Sequence, residues 1–228
     1  MYSHEHKFIY VHIPKSAGTF IKHYLLSNIE PGYESNQNQQ DYDDKYRTTC
    51  ERALSGIVQD VPEYKDYFKF TIVRNPFDRV VSMYTYLGGW KFDYFVENNI
   101  DSPMMPYVQK FHDYYIRDDF EGFIDYAYNQ GNIKKFHAGY YESYVSRIKV
   151  GISIELDQYY KVEDMQSCLK DLSKRFGFSS DTGFNDWRQN SSSKYKKKKS
   201  YKDYYTSNTR GIISDHFVED LNYFNYGF

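Results

Sequence analysis

Two stretches of this chain follow one plan, an apolar strand that runs through a short turn into a helix. The first is FIYVHIPKSAGTFIKHYLL, residues 8–26, and the second is TIVRNPFDRVVSMY, residues 71–84. In residues 7–13, Phe8, Tyr10 and His12 alternate with Ile9, Val11 and Ile13. Such a nearly continuous apolar run suits a parallel strand covered on both faces. Residues 67–73, YFKFTIV, form a second strand of that kind, and Pro76 stands where the first turn of the next helix begins. Strands that alternate with helices, with turns at their carboxyl ends, predict an α/β chain. The expected architecture is a three-layer, P-loop-like fold in which helices flank a parallel sheet.

The remaining chain fits that plan unevenly. Residues 31–49 are polar and aperiodic and predict a loop, with a short helix at 49–59. The Tyr-rich stretch 88–150 predicts helices near 91–98, 104–116 and 120–128. A further strand is expected within GISIELDQYYKVEDM. Met165, Cys168, Leu169, Leu172 and Phe176 then recur at helical spacing up to Gly177. Residues 179–207 predict a loop with a lysine run, and Ile213, Phe217, Leu221 and Phe224 a last helix. With no internal repeat and no dividing linker, residues 1–228 are expected to form a single domain.

Composition excludes more than it assigns. A formal charge of -2 gives no global attraction for nucleic acid. Two cysteines, Cys50 and Cys168, make neither a disulfide framework nor a metal site. No apolar run is long enough to cross a bilayer, and a polar N-terminal stretch enters the first strand directly. A soluble, cytoplasmic chain without a membrane anchor is the expectation; composition says nothing of oligomeric state. The 27 tyrosines and 17 phenylalanines either replace aliphatic residues in the core and its boundary or line a groove for a sugar or base.

Both turns read as anion sites. A strand that feeds a helix through a tight turn points backbone N–H groups at one spot, where the helix dipole favours negative charge. In the first, Pro14 sets the chain direction, Gly18 permits close approach, Thr19 offers a hydroxyl, and Lys15 stands at the lip. A Walker loop would place its lysine directly after the last glycine; Lys15 instead precedes Gly18 by three residues. In the second, Arg74 offers a planar fork for phosphate oxygens and Ser82 a further donor. Arg79 is expected to be structural, paired with Asp78 or another acid. Two anion sites at the ends of two parallel strands suit a mononucleotide phosphorylated at both ends.

Together the motifs resemble the sulfotransferases that use 3′-phosphoadenosine 5′-phosphosulfate (PAPS), most of all the carbohydrate branch. HIPKSAGT is similar to that family's 5′-phosphosulfate loop and RNPFDRVVS to its 3′-phosphate motif. YYKVEDM, with Glu163, the RQNSSSKYKKKKSYKDYY loop and the EDLNYFNYGF terminus extend the likeness; residues 88–136 are not covered. The resemblance implies sulfuryl transfer to an acceptor hydroxyl, on a glycan, without a metal, leaving adenosine 3′,5′-bisphosphate. It implies that Pro14, Lys15, Ser16, Ala17, Gly18 and Thr19 hold the 5′ group, and Arg74, Ser82 and Asn190 the rest of the nucleotide. Lys15 would stabilise charge on the leaving oxygen.

The chain departs from the family at Phe20, where relatives often carry a hydroxyl, and in the base. Relatives commonly place a base between the two motifs, yet no histidine occurs between His23 and His112. Glu34, Asp41, Asp43, Asp44 and Glu51 lie in that interval, and Glu51 starts an expected helix. His137, in KFHAGYY, is the other candidate base. His12 is expected to pack locally, and His4, His6 and His216 to lie at the surface. The run Lys194–Lys202 either closes over the nucleotide, steers an acidic acceptor within a Debye length of ~8 Å, or is simply solvated. A fold that binds the nucleotide without turnover, and an ATP-dependent kinase, are the competing readings.

Overall fold

Both apolar runs become adjacent strands of one sheet. A computed structural model describes residues 1–33, 45–46, 52–179 and 199–228. The strands in chain order are β1 (Tyr2–Ser3), β2 (Phe8–Val11), β3 (Phe68–Val73), β4 (Lys149–Val150), β5 (Ser153–Ile154) and β6 (Gln158–Lys161). The longer helices are α1 (Gly18–Ile29), α2 (Pro76–Thr85), α3 (Met105–Ile116), α4 (Met165–Phe176) and α5 (Ser207–His216). Strand order is β1-β2-β3-β6, with β2–β3 and β3–β6 parallel and β1 antiparallel to β2. Phe8 stands opposite Phe68, Val11 opposite Thr71, and Val73 opposite Lys161. β4 and β5 form a separate antiparallel hairpin.

The described residues divide into two compact units, each made of two stretches: Met1–Arg74 with Tyr144–Gln189, and Asn75–Ser143 with Asn190–Phe228. The first holds the sheet. Alternation puts Phe8 and Tyr10 of β2, Phe70 and Ile72 of β3 and Tyr160 of β6 into one core. Phe20, Ile21, Tyr24 and Leu25 of α1 and Met165, Cys168 and Leu172 of α4 complete it. Aromatic rings pack edge-on and tilted through this core, as between Phe8 and Phe70 (6.0 Å) and between Tyr10 and Phe70 (5.3 Å). Tyrosine and phenylalanine take the place of aliphatic residues here, and each fully buried ring contributes roughly 1.5–3 kcal/mol.

The second unit is helical. Asn75 accepts a hydrogen bond from the Phe77 N–H (3.0 Å) and Pro76 opens α2, the arrangement that its Asn-Pro start implies. α2 runs on through a π-helical turn, Tyr86–Lys91, into the helix Phe92–Glu97. Within that turn the Gly88 carbonyl accepts from His112 Nδ1 (2.7 Å). Gly88 is required there, because a Cβ would meet the Tyr115 side chain and stand 3.0 Å from the Phe111 carbonyl. Val80, Met83 and Tyr84 of α2, Phe111 and Tyr115 of α3, Phe120 and Phe123 beyond it, and Ile213 with Phe217 form the core of this unit.

Candidate functional site: the turn that opens α1

After β2 the chain passes His12 and Ile13 and reverses over Pro14 to Ala17. The Ser16 N–H donates to the Ile13 carbonyl (3.3 Å) and closes the turn. Lys15 (φ 68°) and Ala17 (φ 58°) both adopt left-handed backbone, which non-glycine residues rarely do. Ala17 is the N-cap of α1 and supplies no side-chain oxygen to it. The first N–H groups of a helix have no partner within it. A left-handed residue followed by a helical one makes an anion-binding concavity of such N–H groups.

Ser16 sharpens the picture. It is fully buried, at 0% exposure, and its Oγ has no hydrogen-bond partner. A buried hydroxyl left unpaired costs about 1–3 kcal/mol, and an oxygen-rich ligand in the turn would remove that penalty. The donor set therefore fits a phosphate or phosphosulfate group. Thr19 is exposed and Lys15 half-buried at the same turn.

β3 delivers Arg74 to this place. Because β2 and β3 are parallel neighbours, their carboxyl ends lie side by side. The Thr71 hydroxyl donates to the Val11 carbonyl (2.7 Å) and ties them together just below. Arg74 Nη1 donates to the Lys15 carbonyl (3.3 Å), and the buried Tyr144 hydroxyl donates to the Arg74 carbonyl (2.9 Å). The cation of the second motif thus braces the loop of the first, and Tyr144 anchors the strand end that carries it. Tyr144 escaped the sequence reading because its role depends on contact across 70 residues.

Packing gives Gly18 a reason for being glycine beside the ligand approach expected of it. A Cβ there would overlap the His12 imidazole, whose Nε2 edge is nearest. His12 does pack locally, as expected, but what it packs against is the first residue of α1.

The other sequence-derived residues belong to other elements of the chain or fall outside the described residues. Ser82 is half-buried on α2, in the second unit. His137 belongs to that unit as well, where its ring stacks on Tyr140 at 4.5 Å. Arg79 is structural, at 0% exposure: it donates to the carbonyls of Gly139 (2.7 Å) and Glu142 (3.4 Å) and faces the Phe217 ring. Glu163 is exposed in the turn Val162–Asp164 that follows β6. Glu51, Asn190 and Lys194 to Lys198 lie outside the described residues. At the end of the lysine run, Lys199 pairs with Asp118 (3.3 Å) and Lys202 lies over the Phe228 ring. No helix among the described residues is long and apolar enough to cross a membrane.

Fold and turn together define an α/β protein in which an uncapped strand–turn–helix junction stands at the carboxyl end of a parallel strand. The chain belongs to the sulfotransferase family: the model of that family matches residues 1–227. No significant match was found among curated proteins or among solved structures.

Proposed function

We propose that this chain transfers the sulfuryl group of PAPS to an acceptor hydroxyl on a carbohydrate. The observation that carries the reading is the buried, unpartnered Ser16 hydroxyl in an uncapped turn braced by Arg74. PAPS, when bound, supplies the sulfuryl group and a phosphate leaving group. Ser16, Thr19 and the first N–H groups of α1 hold the 5′-phosphate. Lys15, raised on left-handed backbone at the lip, places its ammonium against the leaving oxygen and stabilises the charge that develops there. Arg74 offers its guanidinium to the 3′-phosphate. The parts of Ser82 and Asn190 in nucleotide binding are read from the motifs alone.

The acceptor's proton goes to His137 or Glu51, the two residues favoured among those that the sequence offers as a base. His137→Asn and Glu51→Gln separate them, since loss of the true base removes turnover and leaves nucleotide affinity intact. A family match that runs through both units supports reading residues 1–228 as one sulfotransferase-like domain. The carbohydrate acceptor rests on the likeness of HIPKSAGT and RNPFDRVVS to the carbohydrate branch. It is tested by incubating PAPS labelled in the sulfuryl group with unsulfated polysaccharides, a tyrosine peptide and simple alcohols. Label in a polysaccharide supports it; label only in the peptide or the alcohols overturns it.

A further inference from the structure

We propose, resting on the PAPS reading above, that His12 is a recognition residue for the 5′-phosphate, donating from Nε2 to the anion held at the start of α1. His12 follows β2 on the strand face of Phe8 and Tyr10, and its ring lies nearly parallel to that of Tyr10 (29°, 6.1 Å). That face packs against α1. Two residues beyond Ile72 on the neighbouring strand, Arg74 reaches the Lys15 carbonyl from the same face. Imidazole and guanidinium therefore reach the one turn that carries Lys15, within one unit.

The ring's orientation gives His12 its role. Nε2 is the atom nearest to the place a Gly18 Cβ would take, so the imidazole presents that edge to the first residue of α1. The N–H groups that the helix cannot pair begin there. The Ser16 hydroxyl, buried without a partner in the same turn, points independently to a ligand. Lys15 supplies a flexible point charge at the lip, whereas His12 supplies a donor whose direction is fixed by its packing on Tyr10 and Gly18. Gly18 is then glycine so that the imidazole can reach the turn.

A donor at this place reads the 5′ group and not the 3′ group, so two ligands test it. Binding of adenosine 3′,5′-bisphosphate and of adenosine 3′-monophosphate is measured by calorimetry for the wild type, His12→Asn and His12→Gln. In His12→Gln the side-chain amide reaches about as far as Nε2, whereas in His12→Asn it stops short. The expected result is a roughly tenfold loss of bisphosphate affinity in His12→Asn, as for one charge-assisted hydrogen bond. Affinity for the monophosphate stays within about twofold, and His12→Gln recovers most of the bisphosphate affinity. Equal losses for both ligands, or none for either, overturn the role of His12 while leaving the cofactor reading in place. A wild type that binds neither nucleotide overturns the cofactor reading and this one with it. His12→Gln also supplies the comparison if His12→Asn does not fold: weakened binding of both ligands alike in that variant counts against the role.

Discussion

At the scale of single residues, the turn between β2 and α1 departs from ordinary local preferences. Lys15 and Ala17 stand in left-handed backbone, Ser16 buries a hydroxyl without a partner, and Gly18 opens a helix. Each departure is unfavourable alone, and together they make sense around an anion. Gly18→Ala isolates one of them. Alanine ordinarily improves a helix over glycine by about 0.5–1 kcal/mol, but here its Cβ overlaps the His12 ring. The variant is expected to lose roughly 1–3 kcal/mol, as overpacked sites do, read from urea unfolding. In Gly18→Ala/His12→Ala the loss should be smaller than the sum of the single losses. A Gly18→Ala protein more stable than the wild type would contradict the packing described. The motif was plain in the letters HIPKSAGT, but the reason for its glycine was not, because the contact is made through space by a residue six positions earlier.

Among elements, the strands and helices with strong periodicity were legible. β3 and α4 lie where YFKFTIV and the Met165–Phe176 pattern put them, and α3 falls at Met105–Ile116 against an expected 104–116. β1 was missed, since two residues carry no alternation, and so was the π-helical turn Tyr86–Lys91, which disturbs an apolar pattern too little to be seen. Two contacts in the helical unit carry predictions. Arg79 of α2 satisfies the Gly139 and Glu142 carbonyls from full burial. Arg79→Met removes both hydrogen bonds and is expected to cost about 2–4 kcal/mol in urea unfolding; a change below about 0.5 kcal/mol would contradict that role. His216, at the end of α5, donates to the Tyr141 carbonyl (2.7 Å). Burial holds its pKa below the ordinary value; that bond works the other way, and the Arg79 charge lowers it further. As pH falls through about 6.5 the unfolded chain therefore takes up a proton before the folded one, and stability present above that pH is lost below it. His23 in α1 adds to the same trend, through burial and then Lys22. The thermal midpoint should fall between about pH 7 and 5, and fall less in His216→Gln, which keeps a donor for Tyr141. An unchanged slope would show that His216 does not titrate in the way its burial requires.

For the whole molecule, the α/β class and the parallel sheet were readable because strand–turn–helix units leave few other arrangements. The two compact units were not readable, since each is assembled from stretches far apart in the chain. The turn between β2 and α1 was legible down to its residues, because HIPKSAGT stands between an apolar strand and a helical pattern. The base was not, because hydrogen-bond reach to an acceptor is a property of three-dimensional placement and no motif surrounds Glu51 or His137. The central claim is that this sheet and turn hold a nucleotide phosphorylated at both ends. Its most direct test is thermal stability in the presence of adenosine 3′,5′-bisphosphate, 5′-AMP and ATP, for the wild type, Lys15→Ala and Arg74→Ala. The account predicts selective stabilisation of the wild type by the bisphosphate, ~2.7 kcal/mol at a hundred times its Kd, and its loss in both variants. Equal or greater stabilisation by ATP, or no shift with any of the three, would contradict it.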